Sequence, residues 1–219
     1  MARKSETSTK NRRQPLSVSI RPLTRRDWPI VEKLFGPNGA CGGCWCMAWR
    51  VPKGGKEWRA AQGAVNRRRF RKLVEAGKVH GVLAFINKEP VGWCSFGPRR
   101  DFPKLLHARS LQTAWHEDTW SIVCFYIPSR WRGKMVASQL LEAATQRAFA
   151  LGAKEIEGYP AVPYDPEKPM PAAFAWTGVP ALFQSAGYKR RARPVQTQPV
   201  FLKTRLAGIR MESVDRGRG

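Results

Sequence analysis

The sequence predicts a single α/β domain, and three observations carry that prediction. A β-rich run at residues 120–127 is followed by Pro128, a basic turn, a helical stripe and a second β-rich run at 154–159. Two further β-rich runs, 80–86 and 91–96, flank the turn sequence Asn87-Lys88-Glu89-Pro90 and so predict an antiparallel hairpin. Near the end of the chain a short helical segment, Gly187 and two strand-like runs follow one another.

Residues 1–15 are polar and basic without apolar period, and are expected to be a disordered tail. The domain is expected over 16–204. Residues 16–21 alternate apolar and polar and predict the first strand. Thr24 is suited to an N-cap, with Asp27 three residues later in a capping-box-like position. Trp28, Val31, Leu34 and Phe35 mark the inner face of the helix that follows. Residues 35–55 have no regular period; a loop of that length inside a compact domain is usually functional. A helix is predicted over 57–76, rich in Arg and Lys on one side and stopped by Gly77. After the hairpin, 98–118 is irregular apart from a short helix about 102–108. Prolines forbid a helix over 160–171, which is a second loop. A helix at 179–186, strands at 188–193 and 197–204, and a frayed basic tail over 205–219 complete the chain.

The segment after residue 127 is the most informative. Pro128 ends the strand because it cannot donate to a ladder. Val136, Leu140, Ala144, Ala148 and Leu151 recur at helical spacing, and Gly152 stops the helix. The first amides of a helix lack intrahelical acceptors and carry the positive end of its dipole, so a diphosphate can supply what they lack. Arg132 and Lys134 add charge, and Gly133, Ala137 and Ser138 let a ligand come close to the backbone. Strand, turn, helix and strand in that order predict a parallel or splayed strand pair.

The run Arg132-Gly133-Lys134-Met135-Val136-Ala137 resembles the acyl-CoA-binding motif Arg/Gln-x-x-Gly-x-Gly/Ala of the GNAT superfamily of N-acetyltransferases. Arg132 and Ala137 fit it, whereas Met135 replaces the central glycine. The order of elements from Ser17 to Leu202 extends the resemblance, including the late helix, Gly187 and strand. The resemblance implies a mixed, mostly antiparallel twisted sheet with helices on both faces. It also implies acetyl-CoA between two splayed central strands and acetyl transfer to a primary amine, directly, in a ternary complex. Arg132, Gly133, Lys134, Met135, Val136, Ala137 and Ser138 would hold the diphosphate, and Tyr126 and Ile127 would align the thioester arm. The loops 41–49 and 160–170 would shape the acceptor site, with Cys44, Trp45, Trp49 and Tyr164 as candidate contacts.

The reaction needs a base for the amine and an acid for the departing thiolate. Glu117 and Asp118, just before the strand, and Glu157, on the next one, are the candidate bases; His116, of a residue type suited to proton transfer, is adjacent to Glu117. The tyrosine that many family members use as acid aligns with Phe183, which has no proton to give. Tyr159, Tyr164 or Ser185 could stand in. Cys41, Cys44 and Cys46 admit three readings: a partial zinc site short of a fourth ligand, a nucleophilic thiol, or small buried thiols beside an apolar pocket wall. The last is the expected one, and no metal is expected.

Composition bounds the rest. Lys and Arg number 39 against 16 Asp and Glu, a formal charge of +23, which attracts polyanions. A second reading follows: a basic nucleic-acid- or ribosome-binding protein on the same fold with weak or no turnover. Five cysteines, an odd count with no secretory signal, argue against a disulfide scaffold. No apolar run approaches the ~20 residues that span a bilayer, so a cytoplasmic protein without membrane contact is expected.

Overall fold

The computed structural model describes residues 17–52, 56–163, 165, 167–168, 170–192 and 198–205. The predicted tail at 1–15, and all of the one at 205–219 except Arg205, lie outside the described residues. Among these, seven strands form one sheet in the order β1-β2-β3-β4-β5-β7-β6. They are β1 (Ser19–Pro22), β2 (His80–Ile86), β3 (Glu89–Pro98), β4 (Thr119–Tyr126), β5 (Glu155–Gly158), β6 (Lys189–Arg190) and β7 (Phe201–Thr204). Only β4 and β5 run parallel; the other neighbouring pairs are antiparallel.

The hairpin is tighter than predicted. Asn87 and Lys88 both take positive φ, +48° and +65°, making a two-residue turn. Glu89 and Pro90 therefore already belong to β3. The bulge between Ala84 and Phe85 accommodates Pro90, which has no N–H for the ladder.

Helices cover both faces because β2 and β3 alternate between two apolar clusters. On one face Val82, Ala84, Cys94 and Phe96 pack with Leu140, Leu141 and Ala144 of α5 (Val136–Ala150) and with Phe183 of α6 (Pro180–Ser185). On the other, Leu83 and Trp93 meet Val31 and Phe35 of α1 (Trp28–Phe35) and Phe70 of α3 (Ala64–Glu75). Each such large apolar side chain contributes about 1.5–3 kcal/mol by leaving water.

Two helix predictions are corrected. α1 begins at Trp28, with Asp27 as its N-cap residue. The Asp27 carboxylate accepts from Thr24 N (2.7 Å) and Oγ1 (2.8 Å) and pairs with Arg21 at 2.7 Å, so it braces the preceding turn instead of the helix. The helix predicted over 57–76 is broken into α2 (Lys56–Ala61) and α3 by Gly63 at φ +80°. Gly63 N donates to Gly43 O at 2.9 Å, and a Cβ on Gly43 would stand 2.4 Å from Gly63 N. This close approach anchors the cysteine loop to the helix pair. A further short helix, α4 (Pro103–His107), precedes β4. Among the described residues no helix is long and apolar enough to cross a membrane.

Candidate active site

β4 ends at Tyr126, and the chain turns at Ser129–Trp131 before α5. Gly133 takes φ +71° with open space where a Cβ would stand. Met135 takes φ +60° immediately before α5 and is 71% exposed. The position that the motif gives to glycine thus does require a left-handed backbone, and methionine occupies it with its side chain in solvent. No side chain caps α5, and Gln139 N is the first amide shown to close on the helix start, bonding Met135 O at 3.2 Å. The amides of Val136, Ala137 and Ser138 precede it, in a first turn that holds no acidic residue. Arg132 donates through Nε to Ile127 O at 2.9 Å, which ties its guanidinium to the chain just after β4. Lys134 Nζ sits 4.6 Å from the centre of the Trp131 ring, whereas Arg130 is paired with Glu89.

The sheet opens beside this turn. Pairing of β4 with β5 stops at Ile122 and Gly158, and β4 continues four residues alone on that side. The gap is bridged in part by a loop: Phe125 N donates to Trp176 O at 2.6 Å. Tyr126 lies beyond the bridge, its ring edge-on to Phe35 at 5.4 Å, and partial burial pushes its phenol up.

A cavity of about 230 Å³ lies against the end of β4. Phe35, Trp58, Tyr126 and Trp176 give it aromatic walls, and Cys41, Cys44, Cys46 and Cys124 bring four thiols to it. Lys104 and Gln62 also line it, and among the described residues no carboxylate or imidazole does. Cys46 is 6% exposed, and its Sγ accepts from Trp93 Nε1 at 3.4 Å. The neighbouring Cys124 thiol, against the opposing effect of burial, and the charge of Arg50 bring the Cys46 thiol down to about 6. Burial pushes Cys44 up to about 11. Trp45 and Cys46 are both held at positive φ, +46° and +57°, in the loop that presents these thiols. Among the described residues no three His, Cys, Asp or Glu side chains gather as a metal site.

Of the expected acceptor contacts, Cys44 lines the cavity. Trp45 stands behind it, packed against Trp28 and Phe35 at 5.6 and 5.8 Å. Trp49 is buried against Tyr159 and Trp176, at 5.9 and 5.7 Å. Tyr164 lies outside the described residues.

The expected acids and bases stand elsewhere. Glu157 is fully buried and ion-paired with the equally buried Arg99. It also accepts from Tyr159 Oη (2.8 Å), Thr113 Oγ1 (2.8 Å) and Arg191 Nη1 (3.2 Å). Tyr159 Oη is engaged again by Arg99 (2.7 Å) and Ser121 Oγ (2.8 Å), and burial holds its phenol well above its ordinary range. This buried network crosses from β5 to β4 and the 99–113 segment. Glu117 is exposed and Asp118 is tied to Lys154 at 2.7 Å, both at the start of β4, opposite the end that opens. His116 is exposed beside them. Phe183 is core: its ring fills the space over Gly158, 2.1 Å from where a Cβ would be, and meets Tyr188 edge-on at 5.3 Å. Ser185 is exposed and returns its hydroxyl to Ala181 O at 2.8 Å.

Sequence reasoning missed Cys124, Trp58, Lys104 and Trp176 as cavity residues. The alternation of β4 offered a signal for Cys124, which lies two residues before Tyr126 on the same face. Nothing local distinguishes the other three, because loops and short helices carry them to the site.

The model of the acetyltransferase (GNAT) family matches residues 47–164, more than half of the chain. An N-acetyltransferase from Staphylococcus aureus Mu50 superposes with a TM-score of 0.50 at 14% identity, over 86% of this chain and 98% of that one. The yncA protein from Salmonella typhimurium, solved with acetyl-CoA, gives 0.50 at 13%, over 85% and 93%. The GNAT domain of S. lividans PAT gives 0.50 at 17%, over 84% and 89%. A search of curated proteins returns no match. At these identities the likeness is one of fold.

Proposed function

The chain belongs to the GNAT acetyltransferase family, and on that premise we propose that it transfers the acetyl group of acetyl-CoA to a primary amine. The observation that carries the reading is the uncapped first turn of α5, set beside a strand that outruns its neighbour and opens onto an apolar cavity. The donor set suits a diphosphate: first-turn amides, Arg132 and Lys134, with open space beside Gly133. The yncA protein's complex with acetyl-CoA supports the choice of substrate.

As substrate, acetyl-CoA brings an activated carbonyl and a sulfur leaving group. The chain's own groups then have defined tasks. Amides and cations at the α5 start fix the phosphates, and the free edge of β4 at Tyr126 and Ile127 orients the arm. Most of the acceleration comes from such positioning. Tyr126 keeps its proton at neutral pH and stands at the end of β4, so it is the proton donor for the departing sulfur. The aromatic walls favour an amine carrying an apolar body. Calorimetry with acetyl-CoA, followed by a thiol-release screen over a panel of amines, tests the reading. Absence of binding at millimolar acetyl-CoA refutes it.

The +23 charge supports a second reading, in which a nucleic acid or ribosomal surface is the partner. Arg68, Arg69 and Lys72 are exposed on α3 beside Arg67 and Arg71, which pair with Glu32 and Glu75. Filter binding of RNA across a salt series, together with failure to acetylate any amine, would favour it.

A further inference from the structure

We propose that Cys46, as a thiolate, is the general base that takes the proton from the acceptor amine. The inference rests on the acetyl-transfer reading of the cavity and names the group which that reading lacks.

Geometry carries it. A base must reach the acceptor, and among the described residues the lining of the cavity at the end of β4 holds neither carboxylate nor imidazole. The titratable side chains among its described lining residues are four thiols, Lys104 and Tyr126. A lysine is protonated at neutral pH, burial keeps the proton on Tyr126 and Cys44, and the hydrogen bond to Cys46 together with burial keeps it on Cys124. Cys46 differs because its surroundings are built for an anion. Trp93 Nε1–H can only donate, and it points at Cys46 Sγ from 3.4 Å. Arg50 brings a cation whose Nε is buried without a hydrogen-bond acceptor. A guanidinium drawn partly out of water needs counter-charge, and both the Cys46 sulfur and the Asp101 carboxylate act on the half-buried Arg50. The remaining groups that face Cys46 are Ser95 and the thiols of Cys44, Cys94 and Cys124; the thiols are neutral at pH 7 and do not compete for the charge. A base that titrates just below the working pH combines a deprotonated resting form with useful proton affinity.

The protons balance. The ammonium gives one proton to Cys46 Sγ and becomes a neutral amine. Its lone pair forms the bond to the thioester carbonyl carbon, and the carbon–sulfur bond breaks. The second proton on nitrogen passes to the departing sulfur by way of Tyr126, and Cys46 releases its proton to solvent. The net change is ammonium plus thioester to amide, thiol and one proton.

Alkylation by iodoacetamide, read by peptide mass across pH, is the first measurement. Cys46 is expected to reach half its maximal rate near pH 6, and Trp93→Phe to move that point upward; a half-rate above pH 8.5 overturns the proposal. Kinetics come second. Cys46→Ser should bind coenzyme A as the wild type does and lose roughly 10²–10⁴-fold in kcat with little change in KM. Cys46→Asp should recover part of the loss and move the acidic limb of the pH profile downward. An unchanged kcat in Cys46→Ser, or an acetyl group found on Cys46 by intact mass, overturns the base role while leaving acetyl transfer standing. A wild-type protein that binds no coenzyme A overturns the acetyl-transfer reading and the base role with it.

Discussion

Replacing Glu157 with glutamine separates a scaffold from a catalyst. The side chain keeps its volume and loses its charge. Arg99, fully buried, then faces a neutral amide where it had a carboxylate, and an amide NH2 meets donors from Tyr159, Thr113 or Arg191. Breaking one side of a buried pair costs about 3–5 kcal/mol, because the surviving charge is left uncompensated. That is a large share of a total stability of roughly 5–15 kcal/mol. For a chain of 219 residues it corresponds to a fall in Tm of roughly 6–20 °C. Urea denaturation followed by tryptophan fluorescence measures it. Tyr159→Phe, which removes one hydroxyl from the same network, should cost only about 1–2 kcal/mol. If Glu157→Gln unfolds at the wild-type urea concentration yet abolishes acetyl transfer, the scaffold argument is wrong and Glu157 acts on the substrate.

Other outcomes follow from the same contacts. Met135→Gly relieves a side chain at φ +60° but adds freedom to the unfolded chain, so denaturation should show a gain of at most about 1 kcal/mol; calorimetry should show coenzyme A bound at least as tightly. Asp27→Asn should destabilise by about 1–2 kcal/mol at pH 7. The Arg21 hydrogen bond lowers the Asp27 carboxyl, so its stabilisation is full above the unfolded carboxylate range near ~3.9 and is lost as pH falls through the depressed folded value. Urea midpoints of the two proteins should therefore converge in acid. Glu117→Gln and Asp118→Asn should leave kcat unchanged in the thiol-release assay, since both residues stand at the closed end of β4.

Local signals were enough for the parts of this protein that are built locally. Pro128, the basic turn, the stripe from Val136 to Ala148 and Gly152 mark strand end, helix start and helix stop within a few residues of one another, and β4 and α5 end and begin there. The hairpin was legible for the same reason, although the two positive-φ residues Asn87 and Lys88 made its turn shorter than the residues suggested. The break at Gly63 was not legible, because a lone glycine inside a helical pattern breaks it only when something else, here Gly43, holds the chain in the bent form.

Tertiary structure decided the chemistry of the side chains. Glu157 and Tyr159 read as candidate catalysts by position, but Arg99, far away in sequence, turns them into a closed buried network. Cys46 reads as one small thiol among three, but Trp93 from β3, Cys124 from β4 and the charge of Arg50 set its protonation. A backbone element is specified by neighbours along the chain. The ionisation of a group is specified by the charges, donors and water around it, and those are assembled only when distant segments pack.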